Sequence, residues 1–200
     1  MGHHFLLISL AAVGEAPGLR MVAWRRLRAL GAHYLQQSVC LLPARPPTTT
    51  GVDELLARLR AEGAQGRVFN IGLPDDEAQE LIACFCAERS DEYREVVSRT
   101  REFFAEITRE RERGRTTYTE VEESAVDLKR LRQWLAAIEE RDHFGAAGRD
   151  EAVAAVEECA RLLAEFEAEA YARELSPSAD PFSRASSGLL RALSGGAGAG

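Results

Sequence analysis

The chain has few cysteines and no long apolar run, and these absences exclude several protein classes. Four cysteines in 200 residues are too few for the disulfide frameworks that hold small secreted domains together. No apolar stretch approaches the roughly 18 residues of a membrane-spanning helix. The start, "MGHHFLLISLAAVGEAPG", has no Lys or Arg before its short apolar run, which predicts a buried strand rather than a signal peptide. We therefore expect a reduced, cytoplasmic protein that has no contact with a membrane.

The motifs of common catalytic and cofactor sites are also missing. The sequence contains no G-x-x-x-x-G-K-[ST], G-x-G-x-x-G, H-E-x-x-H or G-x-S-x-G motif. Cys84-Phe-Cys86 lies in a helical stretch without a nearby His, and His3-His4 would point to opposite faces of a strand. We therefore expect no enzyme activity, no catalytic residue, no cofactor and no metal site.

Charge is present in abundance but is unevenly distributed. Residues 1–73 contain eight Arg and four acidic residues, whereas residues 74–175 contain fifteen basic and twenty-seven acidic residues. Residues 176–200 add one Asp and two Arg. Such a division between a basic first part and an acidic second part indicates two differently charged modules.

The first module alternates between strand and helix patterns. "HFLLISLAA" predicts a buried strand, residues 18–31 a helix that ends at Gly31, and "AHYLQQSVCLLP" two strands with a bend at Gln36 to Ser38. A second helix, "VDELLARLRAEGA", capped by Thr50 or Asp53, precedes the last strand, "GRVFNIGLP". The order βαββαβ predicts an α+β, ferredoxin-like domain over residues 1–74, with both helices on one face of an antiparallel sheet.

From residue 75 onward the apolar residues follow a helical period. One stripe runs from Ala78 to Ile107, with Ser90 or Asp91 as a possible cap of a new helix within it. A capping box at Thr119 to Glu122 precedes a second stripe over Val121, Ala125, Leu128, Leu131 or Arg132, Leu135 and Ile138. The third contains Ala152, Val156, Cys159, Leu163, Phe166 and Ala170. We predict an antiparallel bundle of long helices over residues 75–174, followed by a disordered Ser/Gly/Ala-rich tail over residues 175–200.

The first predicted helix carries four arginines and a tryptophan. At 100° per residue, its core face contains Leu19, Val22, Ala23, Leu27 and Leu30. Arg20, Trp24 and Arg28 then form an i, i+4, i+8 line outside that face, with Arg25 beside the line. Arg26 falls inside the apolar arc, so it must extend past the edge of the arc or find a buried partner.

Three interpretations of this helix remain open from the residues alone. It could be a solvated surface on which arginine stems cover Trp24, or a recognition patch in which arginines bind phosphate or carboxylate and the indole stacks or anchors a partner. In the third, Trp24 is buried beneath the acidic helical module and the arginines pair with its carboxylates. Arg20, Trp24, Arg25 and Arg28 are therefore the candidate DNA- or anion-binding residues.

A metal-dependent nuclease is the least favoured alternative. Small CRISPR-associated nucleases share the order βαββαβ and tend to hold a metal with an Asp at the end of the first strand. Here that strand ends "SLAAVGE", and only Glu15 follows it on a loop.

Several separated motifs of the sequence follow the pattern of one known family. "LRMVAWRRLRALGA" is similar to the family pattern R-M-x-x-W-R-x-L-[KR]-x-x-G-A, and "VCLLP" to a V-x-L-L-P strand end. "TYTEVEESAVDLKRLRQWLAAIEERDHFGAAGRDEA" is similar to F-x-E-x-E-E-x-x-x-D-L-x-x-L-x-x-W followed by R-D-x-F-G-A-x-G-R. These motifs resemble the N-terminal domain of ChrB, the chromate-resistance regulatory protein, and the resemblance covers about residues 5–173.

The resemblance implies a cytoplasmic, non-enzymatic protein that acts in transcriptional regulation of the chromate response. Full-length ChrB proteins continue into a second domain and this sequence ends in a Ser/Gly tail, so we expect a stand-alone copy of the N-terminal domain. No helix-turn-helix is recognisable. The candidate partners are DNA, chromate or another oxyanion, and a second copy of the chain in a homodimer. The alternative is an interaction or dimerisation module, joined through a sheet edge or the helices, that does not bind DNA.

Overall fold

The computed structural model describes residues 3–10 and 17–175. The order of elements is β1 (His3–Leu10), α1 (Pro17–Ala29), β2 (His33–Gln36), β3 (Val39–Pro43), α2 (Pro46–Ala61), β4 (Gly66–Leu73), α3 (Asp75–Glu112), α4 (Tyr118–Arg141) and α5 (Arg149–Leu175). The loop with Glu15 and the tail beyond residue 175 lie outside the described residues.

The first six elements form the predicted ferredoxin-like arrangement. The four strands are antiparallel neighbours in the order β2-β3-β1-β4, so β1 and β2, which α1 connects, are separated by β3. This is the split-βαβ topology. Together with the long helices that follow, it confirms the α+β class.

The sheet is covered on both faces because successive residues of a strand point in opposite directions. From β1, Leu6 and Ile8 pack with α1 and α2, whereas Phe5 and Leu7 pack with the start of α3. Both helices of the first module therefore lie on one face, as predicted, and α3 with Phe144 covers part of the other.

The helix α3 is longer than the sequence indicated. It runs unbroken for 38 residues, so the predicted cap at Ser90 or Asp91 is wrong. Arg89 and Tyr93, on either side of that position, are both buried at a helical interval. Burial of this stripe favours a continuous helix over the capping preference of Ser and Asp. Consequently α3 packs against the sheet through its first part and against α4 and α5 through the rest.

Two other helix starts differ from their predicted positions. α2 begins at Pro46 with Arg45 as N-cap, so Thr50 and Asp53 lie inside the helix rather than at its cap. Prolines at the first helical positions lack an N–H that would need a partner there, and this explains the earlier start. α4 begins after Thr117, whose side chain accepts a hydrogen bond from Glu120 N, two residues before the predicted box at Thr119.

The stripes predict the bundle core well. All six predicted residues of α5 are buried. Those of α4 are buried too, except Ala125 and Arg132, the alternative to Leu131, which are both exposed. The core of the bundle combines them with the later residues of α3. Among the described residues, no helix is long and apolar enough to cross a membrane.

Candidate functional site: the arginine face of the first helix

The orientation of α1 follows from its apolar residues. Ala23 and Leu27 are fully buried, and Leu19 and Leu30 are partly buried against the same core. The helix ends in a Schellman motif, in which Gly31 N donates to Arg28 O and Ala32 N to Leu27 O, both at 3.0 Å. Gly31, at φ +85°, is therefore the C′ glycine that the sequence predicted.

This orientation exposes Trp24 and its neighbouring arginines. Trp24 is 40% exposed, and the guanidinium carbon of Arg28 lies 5.3 Å from the centre of its ring. Such a cation–π contact contributes about 0.5–1 kcal/mol at an exposed site. The interpretation in which Trp24 is buried beneath the acidic helices is wrong, because α3 packs on the opposite face of the sheet from α1.

The line of arginines runs beside β2, at the edge of the sheet. Arg20 Nη2 donates to Gln37 Oε1 at 3.2 Å, in the turn that joins β2 to β3. At the other end, burial raises the pKa of Tyr34 to about 12, and the nearby Arg28 opposes this rise. Arg25 is exposed beside this line.

The guanidinium groups of Arg20, Arg25 and Arg28 have no carboxylate within 4.0 Å among the residues that the structure describes. Arg26 differs, since its Nη2 lies 3.3 Å from Glu54 Oε2 on α2 and both side chains are exposed. Arg26 thus extends past the apolar arc and forms a surface ion pair, which contributes little to stability. We refer to Arg20, Trp24, Arg25 and Arg28 as the arginine face.

A second cluster of charges, which sequence reasoning missed, lies where the sheet meets the bundle. His33 Nδ1 is 2.7 Å from Glu88 Oε1, and Arg89 Nη2 is 3.2 Å from Glu88 Oε2. Arg141 Nη2 is 3.0 Å from Glu92 Oε2. The Nε of Arg89 lies 3.2 Å from that same Glu92 oxygen but without hydrogen-bond geometry.

Arg89 is the centre of this cluster and is only 5% exposed. Burial lowers its pKa most, with Arg141 and Arg28 acting in the same direction and Glu92 and Glu88 opposing them. Two arginines face two glutamates, so the cluster balances its own charge and does not present a free cationic site. A signal existed in the sequence, because Arg89 occupies the helical stripe between Phe85 and Tyr93.

The turn between α4 and α5 fastens the bundle to the first module. Asp142 Oδ1 accepts hydrogen bonds from the backbone N–H groups of Gly145 and Ala146 at 3.0 Å, and Oδ2 accepts one from Tyr93 Oη at 3.1 Å. The ring of Phe144 lies 5.4 Å from that of Phe85 on α3 and 6.4 Å from that of Phe5 on β1, so it contacts both modules. No group of three or more His, Cys, Asp or Glu side chains suited to a metal occurs within residues 3–10 and 17–175.

The family model described as "Protein ChrB, N-terminal" matches residues 20–177. The chain belongs to the ChrB N-terminal family. This membership relates it to chromate resistance. No curated protein and no solved structure matches the chain significantly.

Two of the motifs that resemble ChrB proteins meet in space. A Cβ atom on Gly31, the glycine of the first motif, would lie 2.9 Å from both Cβ and O of Arg141, the arginine that begins the turn motif. His143, also in the turn, contacts Leu30 O through Nε2 at 2.8 Å. In this ChrB family member, Gly31 and the turn residues therefore hold the two modules together, whereas Arg20, Trp24 and Arg25 of the same first motif point to solvent.

Proposed function

We propose that this ChrB family member is a cytoplasmic, non-enzymatic regulator of the chromate-resistance response, and that its arginine face contacts DNA phosphates. The observation that carries the proposal is a set of three guanidinium groups without carboxylate partners, within the described residues, around an exposed indole. The 13 residues of α1 contain no acidic side chain, so nothing within the helix offsets their field.

The chemistry of these side chains suits a phosphate backbone. Guanidinium groups bind phosphate oxygens through paired hydrogen bonds, and an indole can stack on an unpaired base or pack against a sugar. Arg20 and Arg28 are two helical turns apart, about 12 Å along the axis, so their guanidinium groups can contact separate phosphates on either side of the indole. The net charge of −7 restricts such binding to this local basic surface.

The test is a gel shift with the DNA upstream of the protein's own gene at two salt concentrations. Removal of one arginine–phosphate contact should reduce the slope of log affinity against log salt by about 1. The triple variant Arg20→Gln, Arg25→Gln, Arg28→Gln should therefore bind more weakly and show a slope smaller by about 3.

A matched control removes the same number of positive charges from other positions. Arg101, Arg109 and Arg132 are exposed on α3 and α4 and form no ion pair with a described residue. Their triple replacement by Gln should leave affinity and slope unchanged. Equal losses in both triple variants would indicate an effect of net charge alone, and absence of binding by the natural chain at low salt would end the proposal.

The same arginine face is the proposed site for chromate or another oxyanion. A divalent tetrahedral oxyanion accepts paired hydrogen bonds from guanidinium groups as phosphate does. Chromate, sulfate and phosphate should each be titrated while the melting temperature is recorded. A rise with chromate that exceeds the other two, and that the Arg→Gln triple variant abolishes, is the expected result; equal rises would remove chromate selectivity.

A specific observation also supports the alternative of a homodimerisation module. β4 is an eight-residue edge strand that pairs with β1 along one side, and no described strand pairs with its other side. Phe69, on β4, is 47% exposed. An unpaired edge with an exposed aromatic residue is a common template for strand pairing between chains.

Light scattering during size-exclusion chromatography tests this alternative. If two β4 edges pair, Phe69→Lys should convert the dimer to a monomer, because a charged residue on an edge strand opposes pairing. Leu35→Lys is the control, since Leu35 is similarly exposed but lies on β2 at the other edge of the sheet. A natural chain that is monomeric at all concentrations would contradict the dimer.

A further inference from the structure

A cleft of about 420 Å³ lies along the seam between α3 and α4, away from the arginine face. Its volume falls within the range of small-molecule sites, about 300–1,000 Å³. The floor is apolar: Phe103 and Leu131 are buried, and Trp134 is partly exposed. The cleft therefore offers a hydrophobic and aromatic surface to a ligand.

Carboxylates line both sides of this floor. Six line the cleft, three from each helix: Glu102, Glu106, Glu110, Glu120, Glu123 and Asp127. Of the described residues that line the cleft, only Arg99 and Arg130 are basic, and they lie 2.8 Å from Glu102 and Asp127 respectively. Glu106, Glu120 and Glu123 form no ion pair with any part of the chain that the structure describes. The lining thus has an excess of four negative charges.

Glu110, the last carboxylate of the row on α3, contributes negative charge to the cleft but already has a partner. It is 8% exposed, and its Oε2 atom is buried without a hydrogen-bond partner among the described residues. Its Oε1 accepts a hydrogen bond from Arg113 Nη1 at 2.9 Å. Because Oε2 is buried, Glu110 acts on a ligand in the cleft through its charge rather than through a direct hydrogen bond.

The positions of the carboxylates indicate which kind of cation the cleft can bind. Glu102, Glu106 and Glu110 succeed one another at single turns of α3, about 6 Å apart along the axis. A metal ion requires its oxygen ligands to converge at about 2.0–2.6 Å, and no such group occurs in the described part of the chain. Two facing rows of carboxylates over an apolar floor instead match an elongated cation with several charges and a hydrocarbon chain.

We propose that the α3–α4 cleft binds a linear aliphatic polyamine. Its ammonium groups lie along the two carboxylate rows, where each can donate up to three hydrogen bonds. Its methylene chain packs on Phe103 and Leu131. An ammonium group near Trp134 gains a cation–π contact with the indole.

The experiment titrates the full chain with spermine at constant ionic strength. In a Trp24→Phe background, Trp134 is the only tryptophan, so its fluorescence reports on the cleft. We expect a saturable change with spermine that Mg²⁺ does not reproduce. The triple variant Glu106→Gln, Glu120→Gln, Glu123→Gln should weaken the apparent affinity about tenfold, since rim ion pairs are individually modest.

A control triple variant, Glu140→Gln, Glu157→Gln, Glu167→Gln, removes the same charge from exposed positions outside the cleft and should bind as the parent does. Circular dichroism verifies that each variant is folded. Equal weakening in both variants, or an equal response to Mg²⁺, would overturn the proposal. Tighter binding of an arginine-rich peptide than of spermine would also overturn it and assign the cleft to a basic protein segment.

Discussion

Gly31 lies directly against Arg141, so that a Cβ atom on the glycine would be 2.9 Å from both the Cβ and the carbonyl oxygen of the arginine. Gly31 follows the end of α1 in the first module, and Arg141 ends α4 in the bundle. The lack of a side chain at residue 31 therefore allows the end of α4 to approach the end of α1.

Gly31→Ala should destabilise the protein by about 3 kcal/mol. The substitution places a side chain at φ +85° and forces it into the Arg141 backbone, and both effects oppose folding. Gly63 is a matched control, because it follows α2 in the same kind of turn at φ +82°, and a Cβ atom there would have no neighbouring atom within 4 Å. Gly63→Ala should cost only about 1 kcal/mol. Urea unfolding measures both, and equal losses would show that the Arg141 contact is unimportant.

Arg89→Met should cost about 3 kcal/mol. It leaves Glu88 and Glu92 as neighbouring carboxylates in a partly buried site without the cation between them. Arg94→Met is the comparison, since Arg94 pairs with Asp91 at an exposed position on the same helix and should change the free energy of unfolding by less than about 1 kcal/mol. If the two variants unfold alike, burial of Arg89 has no energetic consequence.

Stability should fall below neutral pH in a manner that depends on His143. Burial lowers the pKa of this imidazole from 6.5, despite an opposing contribution from its hydrogen bond to Leu30. A base with a lowered pKa in the folded state binds protons more readily when unfolded, so its stabilisation is present above pH 6.5 and is lost as pH falls through the folded pKa.

The free energy of unfolding should therefore drop between about pH 7.5 and about pH 5.5 by more in the natural chain than in His143→Gln. Glutamine keeps a donor near the Nε2 position and does not titrate. Other groups affect both proteins equally, so the difference isolates His143. An identical pH dependence in the two proteins would contradict this assignment.

Trp24→Ala tests whether the indole contributes to the stability of the fold or to DNA binding. Trp24 is exposed and contacts Arg28, so its removal should cost less than about 1 kcal/mol of stability. Leu27 is fully buried on the same helix, and Leu27→Ala should cost about 2–5 kcal/mol. If the arginine face binds DNA, Trp24→Ala should nevertheless lower DNA affinity. A large loss of stability would mean that the indole is structural.

The periodic spacing of apolar residues predicted most of the fold. The alternation in β1 and the three-to-four-residue spacing in α5 are local properties, because the side chain direction follows from the backbone geometry of each element. The core face of α1 could be predicted for the same reason, whereas the exposure of Trp24 remained open because it depends on whether another element covers the outer side of α1. The composition and missing motifs also limited the classes of function to be considered.

Contacts between residues far apart in the sequence determine the features that periodicity could not predict. Leu30 and His143 contact each other although they are 113 residues apart in the sequence. A local sequence pattern cannot predict a contact over that separation. α3 packs against both the sheet and the bundle. Because Arg89 and Tyr93 are buried in its stripe, the helix continues through Ser90, where a break was expected. Likewise, Arg26 forms an ion pair with Glu54 on the neighbouring helix α2. Local sequence determines which face of an element is apolar, but only the packed chain determines which other element covers that face and which charges meet there.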